Sequence, residues 1–81
     1  SQIRRASVSI ACNISEGAAR NTKKEFKQFL YISSGSCSEL DTLLVISNEL
    51  GFLSKKDFKE LEQLNDKVSA LLNGLIKSIK T

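Results

Sequence analysis

The chain has no proline, histidine, methionine or tryptophan, and only four glycines among its 81 residues. With no proline and little glycine, long helices run without interruption. Without histidine, the two thiols Cys12 and Cys37 cannot complete a Cys–His metal site, and they form no CxxC pair. There is also no P-loop or dinucleotide-binding glycine pattern, and no nucleophile with a base at helical spacing. A non-enzymatic protein is therefore expected, with no catalytic residues, no metal and no cofactor. No apolar run approaches the ~20 residues of a membrane span. The first apolar stretch is broken by Ser and Asn, unlike a signal peptide. Two unpaired thiols suit a reducing compartment, so a cytoplasmic protein with no membrane partner is expected.

What is present is 41% hydrophobic and 26% charged residues, in a chain long enough for a single small domain spanning 1–81. Three helices are predicted. "RRASVSIACNISEG" (residues 4–17) makes the first. Thr22 and Glu25 have capping-box spacing, and the second helix runs from there to Gly51, which stands where a left-handed residue ends a helix. Ser54 caps the third, with Asp57 in its first turn and Leu53 and Phe58 placed as a hydrophobic staple. That helix is carried to about Lys80, through Asn73-Gly74, because Leu75 and Ile79 stay in phase.

The third helix repeats Phe58, Leu61, Asn65, Val68, Leu72, Leu75 and Ile79; the second repeats Phe26, Leu30, Ser33, Cys37, Leu40, Leu44 and Ser47. Both stripes alternate steps of three and four, the seam of antiparallel bundle helices. Folded about Gly51–Ser54, facing residue numbers sum to about 105, which sets large residues against small ones. The second helix has another apolar row, including Phe29, Ile32, Leu43, Ile46 and Leu50. The first helix keeps only a narrow polar stripe: Arg5, Ser9, Asn13, Glu16 and Arg20. Faces this wide require burial on several sides. The first helix is also little more than half as long as the others. The expectation is an all-α, antiparallel up-and-down four-helix bundle, of which this chain shows about three helices and the first lies upstream of Ser1. A three-helix protein is the alternative.

The net charge of +3 is unevenly spread. Residues 1–27 hold six basic groups against two acidic ones, for +4. Arg20, Lys23, Lys24 and Lys27 cluster at one turn beside a helix N-terminus, where phosphate binds readily. The same residues would also serve as an ordinary solvated turn. The small residues of "SSGSCSE" (33–39) suggest a close helix contact. With facing numbers summing to about 39, Arg4 and Arg5 lie opposite Gly35 and Ser34, near Glu39. An ion pair of Arg4 or Arg5 with Glu39, within or between subunits, is therefore expected.

"RRASVSIACNISEG", "KKEF", "GSCSEL", "ELGFL" and the late "LNGLI" together resemble a bacterial family. Its members are four-helix-bundle, ribosomal-protein-like proteins encoded within intervening sequences of 23S ribosomal RNA genes. The matching positions include Arg4, Arg5, Ser9, Ile10, Asn13, Glu16, Gly17, Gly35, Glu39 and Leu40. The family is similar in turn to the accessory protein of diversity-generating retroelements, a homopentameric barrel. The resemblance implies a homopentamer binding nucleic acid, RNA first. Arg4, Arg5, Arg20, Lys23, Lys24 and Lys27 are the candidate contacts, lining a channel or rim. The alternative is a scaffold or adaptor for a protein partner such as a reverse transcriptase, with no direct role on nucleic acid.

Overall fold

The computed structural model describes residues 1–81 as three helices and no strands. Helix α1 runs Gln2–Ala18, α2 runs Lys23–Glu49 and α3 runs Lys55–Ser78. Each begins at a hydroxyl cap. Ser1 accepts from the Arg4 amide, Thr22 from Glu25 and Ser54 from Asp57. The Thr22–Glu25 pair departs from an ideal capping box: the Glu25 carboxylate accepts from the Thr22 hydroxyl at 3.0 Å rather than from its backbone amide.

At the other end of α2, Gly51 takes φ +79°. Its amide donates to the Asn48 carbonyl at 3.1 Å, and the Phe52 amide reaches back to Ser47 at 2.9 Å. These two bonds make a Schellman stop, which turns the chain directly into the α3 cap. Helix α3 passes through Asn73-Gly74 unbroken and ends at Ser78, two residues short of the expected Lys80.

Helices α2 and α3 form the expected hairpin. The Asn65–Cys37 and Lys27–Ile79 contacts bracket the expected register. Leu30, Cys37, Leu72 and Ile76 are buried together with Ile10 of α1 as one core cluster. Helices α1 and α3 both lie on α2 and do not pack on each other.

The register of α1 differs from expectation. Ser33 Oγ donates to the Ile10 carbonyl at 2.9 Å, and the Ser9 and Ser36 hydroxyls share a hydrogen bond at 2.9 Å. Facing numbers therefore sum to about 44, a turn or more away from 39. The physical reason is that α1 docks through its small-residue edge, burying Ala6, Ile10 and Gly17. Ser9 and Asn13, which resemble solvent positions in sequence, are half-buried, with Asn13 Nδ2 held by the Ser9 carbonyl at 2.8 Å. Gly17 allows the closest approach: a methyl there would lie 2.7 Å from the Phe29 Cβ. Gly35 has nothing within 4 Å and is exposed, so it is Ser33 and Ser36, not Gly35, that make the close contact.

Docking by that edge leaves two apolar faces open. One is a groove of about 350 Å³ between α1 and α3, walled by Ile3, Ile14, Leu61 and Leu64 and floored by Leu40 and Leu44. The other is the back of α2, where Tyr31, Ile32, Val45, Ile46 and Leu50 are between 40% and 64% exposed. Only 11 of 81 residues are buried, too few for the apolar surface that this sequence carries.

Candidate nucleic-acid interface

The antiparallel fold brings the C-termini of α1 and α3 to the same end as the N-terminus of α2. At that end Lys27 Nζ approaches the Ile79 carbonyl at 3.4 Å, a weak contact that joins the two long helices. Lys77 and Lys80 are thereby placed beside Lys23, Lys24, Lys27 and Arg20. These six basic side chains share the end with Glu16 and Glu25, a net +4. At the opposite end Lys55, Lys56 and Lys59 are offset by Glu49, Asp57, Glu60 and Glu62. The molecule is therefore basic at one end only.

Not all of these charges are equally available. Arg20 Nη2 lies 2.6 Å from Glu16 Oε1, one helical turn back, and its guanidinium sits 5.0 Å from the centre of the Phe29 ring. Lys27 is half-buried against the end of α3, whereas Lys23, Lys24, Lys77 and Lys80 are exposed. Arg4 and Arg5 are exposed too, but lie more than ~20 Å away along α1. The six expected contacts thus split into a cluster of four and a separate pair.

The expected ion pair of Arg4 or Arg5 with Glu39 is not formed within the chain. All three are exposed, and Arg20–Glu16 is the only ion pair. The edge through which the helices meet explains this. Arg5 falls level with Glu39, but α1 and α2 meet through the Ala6 and Ser36 sides, leaving both charges pointing away from the contact.

Lys77 and Lys80 were absent from the sequence-based candidates. The signal for them was available: a facing sum of about 105 already puts residues 77–80 beside 25–28. The pairing of Arg20 with Glu16 was equally visible as an i, i+4 spacing.

The thiols lie apart in character. Cys37 is buried, and burial pushes its thiol above the ordinary range; Cys12 is exposed, and neither is in a disulfide. No three Cys, Asp or Glu side chains converge as a metal site requires. No helix is long and apolar enough to cross a membrane.

The family model described as 23S rRNA-intervening sequence protein matches residues 1–74. The chain belongs to that family. The match takes in α1, α2 and most of α3, including four of the six basic groups gathered at one end, Arg20, Lys23, Lys24 and Lys27; Lys77 falls three residues past it and Lys80 six. No curated protein matches the chain.

Proposed function

We propose that this 23S rRNA-intervening sequence protein is a non-enzymatic, cytoplasmic homo-oligomer that binds structured RNA through its phosphates. The observation that carries this reading is the gathering of Lys23, Lys24, Lys27, Lys77 and Lys80 at one end, tied together by the Lys27–Ile79 contact. Phosphate contacts by lysine position a nucleic acid without reading its sequence. No aromatic ring stands free among these lysines: Phe26 and Phe29 are half-buried, and Phe29 is covered by Arg20. A duplex or folded RNA suits such a surface better than a single strand, which relies on stacking.

Oligomerisation is supported by the exposed back of α2. The pentamer is what the family resemblance implies, and copies arranged in a ring would repeat the basic end around one rim. In such a ring Arg4, Arg5 and Glu39 are free to pair between copies.

A titration of a labelled RNA hairpin, followed by anisotropy at several salt concentrations, tests the binding. The expected result is a steep fall of affinity with salt, and its loss on Lys23→Glu with Lys24→Glu. Sedimentation tests the assembly. Absence of binding at low salt rejects the RNA reading and leaves the scaffold for a protein partner, to which the back of α2 (Ile32, Ile46 and Leu50) would then be assigned.

A further inference from the structure

One aromatic ring stands free just outside the lysine cluster. Tyr31, the only tyrosine of the chain, is 57% exposed and lies one turn of α2 beyond Lys27. On α3, Asn73 lies one turn before Lys77, and both are exposed. The Asn65–Cys37 and Lys27–Ile79 contacts set facing residue numbers across the hairpin to a sum of about 104. Lys27 is therefore level with Lys77, and Tyr31 with Asn73. The two rows also border the same flank. At its far end Asn48 and Lys59 line one recess; Asn48 stands three heptads from Lys27, and Lys59 two from Asn73. None of these residues lines the groove between α1 and α3.

The basic row is short. Lys24 and, past the end of α3, Lys80 extend it outward, whereas residues 28–54 hold no basic side chain and Asp66 lies two turns behind Asn73. Phosphates are thus held on one side of Tyr31 and not on the other. Gly74, next to Asn73, would meet nothing within 4 Å if it carried a Cβ, so that level of the flank is open. A glycine inside a helix is destabilising, and no close contact requires this one. Tyr31 also lies roughly a quarter turn around α2 from Ile32, Ile46 and Leu50, at the margin of the apolar back.

On the reading of the basic end as a phosphate-binding surface for RNA, we propose that Tyr31 and Asn73 form a site for one unpaired adenosine beside an RNA duplex. The phosphates flanking that nucleotide meet Lys77 and Lys27, which keeps two N–H groups after its weak contact with Ile79. The base stacks on the tyrosine ring. Stacking alone accepts any base. Asn73 supplies the selection: its amide offers a donor and an acceptor side by side, the pair that matches the N6 amine and N7 of adenine. Guanine presents two acceptors on that edge and satisfies only half of the amide. Because the phosphate grip stops at Tyr31, the site takes one nucleotide and not a continuous strand.

The test compares labelled RNA hairpins by anisotropy, either blunt or ending in a single dangling adenosine, uridine or abasic unit. The adenosine hairpin is expected to bind about ten-fold more tightly than the blunt and abasic ones, and more tightly than the uridine one. Tyr31→Ser should remove that gain while leaving blunt-hairpin binding and its salt dependence unchanged; Tyr31→Phe should keep it. Asn73→Ala should bring adenosine level with uridine. With one tyrosine and no tryptophan, intrinsic emission reports Tyr31 alone, and the adenosine hairpin should quench it where the blunt one does not. Failure of the blunt hairpin to bind overturns the RNA reading, and the nucleotide site with it. A blunt hairpin that binds but gains nothing from adenosine overturns the site alone. So does a gain that survives Tyr31→Ser, an adenosine preference that survives Asn73→Ala, or altered sedimentation of RNA-free Tyr31→Ser, which would make Tyr31 a contact between copies.

Discussion

Gly17 and Phe29 meet so closely that the absent side chain of one is the space occupied by the other: a Cβ on Gly17 would lie 2.7 Å from the Phe29 Cβ and 3.3 Å from the Phe26 carbonyl oxygen. Backbone and Cβ atoms cannot swing aside as a side-chain tip does. Gly17→Ala should therefore destabilise the fold by about 1–3 kcal/mol, despite the better helix propensity of alanine. Urea unfolding followed by circular dichroism measures it.

Gly35 gives the opposite result. It is helical, and nothing lies within 4 Å of the added methyl. Gly35→Ala should stabilise the chain by about 0.5–1 kcal/mol. If sedimentation shows the assembly weakened at the same time, that face of α2 is a contact between copies.

Ser33 is fully buried and donates to the carbonyl of Ile10. Ser33→Ala should cost about 1 kcal/mol, because the carbonyl keeps its helical partner. Ser33→Leu should cost about 1–3 kcal/mol, since the site is overfilled. The same unfolding measurement ranks the two.

Arg20 and Lys24 should behave differently in RNA binding. Arg20 is held by Glu16 and Phe29, while Lys24 is exposed. Lys24→Ala should weaken hairpin binding and reduce the dependence of log affinity on log salt by about one. Arg20→Ala should change that slope less, and should lower stability by no more than about 1 kcal/mol.

Cys37 makes stability depend on alkaline pH. Burial raises its folded pKa above the unfolded value, so the folded state keeps its proton longer than the unfolded chain does. The stabilisation is complete below the unfolded pKa and is lost as pH rises through the folded one. Denaturation midpoints should fall above pH 9, and less so in Cys37→Ala. Cys12, exposed, should react with a thiol reagent at once, and Cys37 only on opening.

The α2–α3 hairpin was legible in the sequence because two stripes, read separately, required the same register. Helix α1 was not. It is apolar around most of its circumference, so periodicity names no single contact edge, and the edge used proved to be small and partly polar: Ala6, Ser9, Ile10, Asn13 and Gly17. Close approach of backbones outweighed apolar area there. The same error placed Gly35 in a contact and Arg5 against Glu39. In the basic cluster, the local members were readable from one turn of chain. Lys77 and Lys80 required the hairpin register to be applied to charges as well as to the core.

The direction of the three helices also governs the sign of the field at the basic end. Two helix C-termini and one N-terminus meet there, so the backbone contributes about half a negative charge rather than the positive pole expected from α2 alone. The attraction for phosphate is therefore a property of side chains. Five of the six basic groups are lysines; acetylating all five would leave Arg20 against Glu16 and Glu25, a net −1. A surface built this way would be turned from attractor to repeller by modification of its amines, without any movement of the helices beneath it.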